Sequence, residues 1–423
     1  MIKNNFRWVL IFIGFIGVTI CYIDRSAISY AITPLQHQLH LNNNDFGLIT
    51  SVFGFGYFLM MFISGLIVDK FGSHYTWGIA AFIWSIITLL LGFSNSLITL
   101  ITCRFLLGMS EAPTFPSMTK SITNWLSSDE RSRAFAINLA AVPFASIIGA
   151  PICTLLINKF SWQVMFIILA IAGIIWSIIW VVFASNKPDK SKYVTDRELQ
   201  FIIKNNPIYN KNKDIQQISI TKILFNKTLL INNYAFFAFG YLLFFAISWL
   251  PGYLEQSFHI KLNKIGLFLI LPWTLATIFM ITVGIISDKI WQKTHSIFLS
   301  RSILISISLI LSAGIFIFVI QTTNLYLNLI LLSLALATGL STNGCYSAIN
   351  ADLTPKQVAT SLAIMNSFLA LSGILAPLIT GYLSNITHNF NMSLYIMVFL
   401  NFSAGILILI FPNPDKALRL STD

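Results

Sequence analysis

Four ionisable side chains stand where the sequence should not tolerate charge. Asp24 and Arg25 lie in an apolar run that begins at Trp8, and Arg104 and Glu111 lie in another between residues 96 and 120. A charge at the centre of a lipid bilayer costs at least about 2.5–3.5 kcal/mol, so such groups face a protein interior or a watery cavity and belong by default to a functional site. Arg104 and Glu111 are seven residues apart, close to two helical turns, and share one face. Asp24 and Arg25 are adjacent and point about 100° apart, which suits Arg25 facing a cavity and Asp24 turned towards Arg104. Two acids and two bases could form a neutral brace between helices, but four charges are more than a brace needs. With both acids ionised the cluster sums to zero. One added proton leaves a single positive charge, which attracts an anion, and linkage makes proton and anion binding mutually favourable. Glu111 is the better proton carrier, because no arginine adjoins it and its setting is apolar; Asp24 is the second candidate.

Buried charge is confined to the first half of the chain. The second half offers Tyr241, Trp249, Ser341, Thr342, Asn343, Asn366 and Ser372 in apolar runs. Amides and hydroxyls can orient a carboxylated or polyhydroxylated ligand without burying a second ion, and Asn343 and Asn366 are the preferred site members. Each could instead be hydrogen-bonding glue between helices. Tyr22 and Tyr57 carry the same two readings. Pro113 and Pro116 follow Glu111 directly and predict a bend in its helix.

The elements that must carry these residues are membrane helices. The chain of 423 residues is 56% hydrophobic and only 10% charged, against roughly 25% charged in soluble domains. About twenty mostly apolar residues make a span, and twelve runs qualify, near 8–33, 46–68, 75–93, 96–120, 133–157, 162–184, 229–252, 265–287, 297–319, 325–350, 357–383 and 391–411. We number these spans 1 to 12. The fold expected is an all-α polytopic membrane protein of two six-helix halves: 1–184, a linker at 185–228 that reads as a solvated hinge loop, 229–411, and a tail at 412–423. With the N-terminus inside, 21 of the 26 Lys and Arg fall on the cytoplasmic side and three outside. That asymmetry places both termini and the linker in the cytoplasm. It also explains the net charge of +11 without nucleic acid. The first run is too long for a signal-peptide core and lacks a cleavage site.

A weak repeat links the halves. Gly65-x-x-x-Asp69-Lys70 follows span 2 and Gly284-x-x-x-Asp288-Lys289 follows span 8, while Ala150-Pro151 and Ala376-Pro377 recur in spans 5 and 11, each with a threonine three residues on. Duplicated halves give this pattern. Cys21, Cys103, Cys153 and Cys345 sit in apolar runs without metal-ligand spacing and read as free, buried thiols. The six histidines lie at or near loops, and neither a Gly-rich phosphate loop nor a His/Cys ligand cluster is present. No metal or organic cofactor is expected; the proton would be the coupling ion. No nucleophile–base constellation suggests an enzyme.

Gly65-Leu-Ile-Val-Asp69-Lys70-Phe-Gly72 resembles the signature loop between spans 2 and 3 of the major facilitator superfamily. The resemblance implies a gating role for Gly65, Asp69, Lys70 and Gly72, with Asp69 latching the cytoplasmic side of the two halves. The loop departs from the pattern at Ser73-His74-Tyr75, where a basic residue is usual, so the resemblance implies a basic contact that is weakened or replaced by His74. Tyr22-Ile-Asp24-Arg25 and Cys103-Arg104-Phe-Leu-Leu-Gly108-Met-Ser-Glu111-Ala112-Pro113-Thr-Phe-Pro116 resemble the anion:cation symporter family, which includes hexuronate, galactonate and phthalate permeases and sialin-like proteins. That resemblance implies that Arg25 binds a substrate carboxylate, that Asp24 and Arg104 form a protonation-sensitive pair, and that Glu111 couples the proton. Tyr22 and Tyr57 match aromatic hydroxyls of the family's site, and Asn343 and Asn366 match polar positions of its second half. Sugar-acid permeases often carry a glutamine in span 5, where Val142 stands here with Asn138 one turn away.

The function expected is proton-coupled import of a small organic anion by a monomer in a bacterial inner membrane. Its partners are the anion and the lipid bilayer. The rival within transport is proton-driven efflux of a drug or siderophore, which has no need of Arg25. The rival outside it is a nutrient sensor on the same scaffold, which usually appends a soluble signalling domain.

Overall fold

The computed structural model describes residues 5–206, 220–354, 357–410 and 414–415. Residues 207–219 of the linker, most of the tail at 412–423, and Lys3, Lys211, Lys213, Lys356, Lys416 and Arg419 of the charge count lie outside the described residues. The described residues form helices and no strand. Ten helices are long and apolar enough to cross a membrane, and span 2, bent by 50° between Met61 and Ile63, makes an eleventh. Span 4 is carried by two shorter pieces, Leu97–Glu111 and Thr114–Trp125. The break falls at Pro113, which lacks an N–H and whose ring excludes the carbonyl four residues back. Spans 1 (Phe6–Tyr30), 3 (Ser73–Gly92), 5 (Ser128–Lys159) and 6 (Trp162–Phe183) are continuous. Span 10 changes helix between Leu340 and Asn343.

Apolar side chains such as Phe12, Leu66, Ile98, Phe399 and Ile410 stand more than half exposed on the outside of the bundles. Lipid tolerates that surface and water does not. Four of the six histidines, His40, His259, His295 and His388, end helices in the left-handed conformation with φ between 48 and 54°.

The chain divides into two compact units. One comprises residues 1–41 and 52–213, the other residues 42–51 and 214–423. In the first, Trp77, Trp84, Trp176 and Trp180 stack between spans 3 and 6, with Trp77 and Trp180 centroids 4.6 Å apart. Span 1 reaches this wall because Gly17 has no side chain: a Cβ there would stand 2.2 Å from the Trp176 ring. Spans 2 and 4 meet backbone to backbone, since a Cβ on Gly108 would lie 2.1 Å from the Phe53 carbonyl and one on Gly56 2.2 Å from that of Phe105. The second unit uses the same small-residue packing, with Gly240 against Ser372 and Gly405 against Ile310 and the Ser306 carbonyl.

The linker departs from a solvated loop over its first part. Residues Asp196–Asn205 form a helix capped by Thr195, whose hydroxyl accepts from the Glu198 amide. Glu198 is buried and its carboxylate accepts from the backbone amides of Phe6 and Arg7 at 3.0 and 3.1 Å. It thereby satisfies donors at the start of span 1 that have no partner within the helix. Arg7 pairs with Glu198 at 3.0 Å and with Glu130 at 2.9 Å. Asn206 donates to the carbonyls of Thr123 and Asn124 and accepts from Arg131. A polar linker therefore docks through capping geometry, which composition alone does not reveal.

Candidate functional site

Span 1 brings Cys21, Tyr22 and Arg25 to the face that meets span 4, and the Gly56–Gly108 crossing seats Phe53 and Tyr57 of span 2 beside them. Arg25 donates from Nε and Nη2 to one oxygen of Glu111 at 3.1 and 3.0 Å. The Cys21 thiol donates to that same oxygen at 3.3 Å and lies 3.9 Å from the Thr114 hydroxyl, across the break in span 4. The other Glu111 oxygen is buried without a partner. Three aromatic rings enclose the Arg25 guanidinium: Tyr22 at 4.5 Å, Tyr57 at 4.9 Å and Phe53 at 5.0 Å from its Cζ. Phe53 is shared, for the Arg104 Cζ stands 4.6 Å from its centroid. Such cation–π contacts strengthen where water is excluded.

Arg104 and Asp24 do not close on one another as the sequence suggests. Among the described residues, Arg104 donates to the Arg25 carbonyl at 3.5 Å, and both Asp24 oxygens are buried without a hydrogen-bond partner. Sequence reasoning also missed two members of the site. Phe53 lies one turn before Tyr57 and Cys21 one turn before Arg25, so helical phase could have found both.

In the second unit Asn343 opens the second piece of span 10 and Asn366 lies within span 11. Both are half-buried and spend no amide on a hydrogen bond among the described residues. The neighbouring candidates are spent on packing: Trp249 donates to the Pro377 carbonyl at 3.1 Å, Ser341 reaches Ser308 at 3.2 Å, and Ser372 donates to the Leu369 carbonyl at 2.6 Å. Tyr241 is buried with its hydroxyl unpartnered. Asn138 donates to the Ala134 and Ile11 carbonyls, which ties spans 5 and 1.

In the signature loop, Asp69 pairs with Lys120 of span 4 at 2.8 Å, and Lys120 also caps the Val68 and Asp69 carbonyls. Lys70 lies over the Phe71 ring, and a Cβ on Gly65 would meet nothing within 4 Å. Gly72 is held at φ +84°, and any side chain there would strike Asn186. His74 does not replace the usual basic contact: its ring bonds the Val181 carbonyl at 2.9 Å and its amide donates to Asn186. The repeat survives in the second unit, where Asp288 pairs with Arg301 at 3.0 Å. That base comes from the start of span 9, whereas Lys120 comes from span 4. The cysteines are free, with Cys103 only half-buried. No group of three or more His, Cys, Asp or Glu could hold a metal among the described residues.

This arrangement can compete for an arginine. One buried carboxylate holds Arg25 through a single oxygen, so a second carboxylate of suitable shape can exchange with it. The released acid must then take a proton or remain an unpaired buried charge.

The chain is similar to the hexuronate transporter of Bacillus subtilis (strain 168), with 29% identity over 96% of this chain and 94% of that protein. It is 31% identical to a "Probable galactarate/D-glucarate transporter" of the same organism, over 99% of this chain and 94% of that one. In fold it is similar to the solved structure of a bacterial homolog of the human lysosomal transporter Spinster, at a TM-score of 0.81 with 15% identity and 99% of each chain covered. The family model of the Major Facilitator Superfamily matches residues 14–347, and the chain belongs to that superfamily of membrane transporters and is not an enzyme.

Proposed function

We propose that the chain is a proton-coupled symporter that imports a small organic anion by alternating access, with sugar acids such as hexuronates and aldarates as the first class to test. The observation that carries this reading is the Arg25–Glu111 pair inside its aromatic enclosure. The substrate carboxylate takes Arg25 from Glu111, and Glu111 takes a proton from solvent as it is released. Asp24 is the second protonation site, with Arg104 supplying the nearby positive charge. Tyr22 and Tyr57 flank the carboxylate, while Asn343 and Asn366 bind the hydroxylated remainder. The similarity to hexuronate and galactarate/D-glucarate transporters supports the substrate class. Efflux of a greasy compound has no use for a guanidinium prepared in this way. The lysine and arginine asymmetry supports cytoplasmic termini in a bacterial inner membrane, which reporter fusions at either end read directly.

Uptake of labelled glucuronate and galactarate into proteoliposomes under an imposed proton gradient tests the reading. Arg25→Ala should lower uptake at least about tenfold, the cost expected when one partner of a buried pair is removed. Glu111→Gln should keep counterflow exchange and lose proton-driven accumulation. Full accumulation by Glu111→Gln would remove Glu111 from the coupling step.

A further inference from the structure

Among the described residues, the side-chain hydrogen bonds that Glu111 accepts all fall on one oxygen, and all of their donors belong to span 1. Two are guanidinium nitrogens of Arg25, and the third is the Cys21 thiol at 3.3 Å. Cys21 and Arg25 are four residues apart, so they share one face of a continuous helix. The thiol is fully buried and carries a single proton, which it gives to Glu111. In its contact with the Thr114 hydroxyl at 3.9 Å, the sulfur is therefore the acceptor and Thr114 the donor. Glu111 ends the first piece of span 4 and Thr114 opens the second. The sulfur is thus seated between the two pieces, with its proton aimed at the acid.

This bond bears on binding because Glu111 and a bound carboxylate compete for one guanidinium. A hydrogen bond to an ionised group is stronger than one to a neutral group. The thiol therefore favours the ionised acid, and with it the Arg25–Glu111 pair, over release of Arg25 to an anion. The other ionisable groups around the pair do not bond that oxygen. Arg104, two turns back on the helix of Glu111, donates to the Arg25 carbonyl at 3.5 Å. Tyr22 and Tyr57 lie with their rings against the Arg25 guanidinium, and both oxygens of Asp24 are without a hydrogen-bond partner.

We propose that Cys21 is a positioning residue that sets the affinity for the anion: its thiol holds the Glu111 carboxylate on Arg25, so that an anion must displace a restrained acid rather than a free one. This rests on the exchange at Arg25 proposed above.

The S–H stretching band of the whole protein in nanodiscs, read by infrared difference against Cys21→Ala in the same background, isolates this thiol from those of Cys103, Cys153 and Cys345. The band should lie at the strongly bonded, low-frequency end in wild type and move to higher frequency in Glu111→Gln, where no carboxylate accepts. The same frequency in both overturns the proposal. Should Cys21→Ala fail to fold, Cys21→Ser serves as the reference, since it too lacks an S–H. Calorimetric titration with glucuronate and galactarate reads the affinity. Cys21→Ala should bind about two- to tenfold tighter than wild type, the range for one lost hydrogen bond. Cys21→Ser keeps a donor and should return the affinity to the wild-type value or weaker. A thiol that only packs predicts equal or weaker binding in Cys21→Ala, and that result overturns the proposal. The infrared comparison needs neither substrate nor proton gradient. If wild type binds neither anion, or shows no proton-driven accumulation, the transport reading fails and the spectra still decide the Cys21–Glu111 contact.

Discussion

Arg25 is held by groups of two kinds, a carboxylate that can leave and rings that cannot. Glu111 and Cys21 meet at one oxygen, so the pair is set by three short contacts on one side and nothing on the other. Phe53 contacts both guanidiniums, with the Arg25 and Arg104 Cζ atoms 5.0 and 4.6 Å from its ring centroid. Cation–π contacts are worth about 0.5–2 kcal/mol, roughly a two- to thirtyfold effect on binding. Phe53→Leu keeps an apolar side chain and removes the ring. We expect it to raise KM for the anion by an amount in that range with folded yield preserved, and Phe53→Tyr to restore it. Uptake kinetics beside a detergent-exclusion profile check both, and an unchanged KM in Phe53→Leu would confine Phe53 to packing.

At the scale of elements, the site depends on where helices break and what pins their ends. Pro113 stops the first piece of span 4 just after Glu111, and Thr114 of the second piece reaches back to Cys21. Span 10 likewise changes helix at Asn343. Broken helices place polar groups at the midplane of many transporters. The start of span 1 is pinned by Glu198 and, through Arg7, by Glu130, which lies in the first turn of the Ser128–Lys159 helix, ahead of its membrane-crossing stretch Arg133–Lys159. Burial alone would raise the Glu130 carboxyl above its ordinary range. The hydrogen bonds and charge of Arg7, with the Ser127 contacts, outweigh it and hold Glu130 below that range. A carboxyl depressed in the folded state stabilises above its unfolded value, near about 4.3, and loses that contribution as pH falls through the folded one. Protection of the linker-helix amides relative to intrinsic exchange should therefore be high at pH 7 and should fall below about pH 4, with Glu130→Gln already poorly protected at pH 7. Equal protection in Glu130→Gln at pH 7 would show that Glu198 alone holds the linker helix.

For the whole molecule, the charged cluster and the second-half amides fall in different units. All buried charge of the cluster lies in the first, and the unspent amides Asn343 and Asn366 lie in the second. On the proposed reading, the first unit handles carboxylate and proton, and the second selects among anions. Asn343→Ala and Asn366→Ala should each raise KM for a sugar acid several-fold, at a cost of about 1 kcal/mol per lost hydrogen bond. The proton dependence of uptake should stay as in wild type. A change in coupling with an unaltered KM would place these amides in the proton step instead.

The sequence by itself determined the membrane class, most of the spans and the four residues of the charged cluster. The reason is physical: hydrocarbon excludes charge so strongly that span length and stranded ions can be read from composition and spacing alone. The break at Pro113 was legible for the same kind of reason, because proline disrupts a helix locally. Only tertiary structure decided who partners whom. Helical phase allowed Asp24 to face Arg104, but packing gave Arg104 to Phe53 and the Arg25 carbonyl and left Asp24 buried without a hydrogen-bond partner. The docked linker was hidden too, since Glu198 contacts Phe6 and Arg7 from more than 190 residues away. Contacts across such separations depend on how glycines such as Gly17 and Gly108 let helices approach, and that is a property of the assembled bundle.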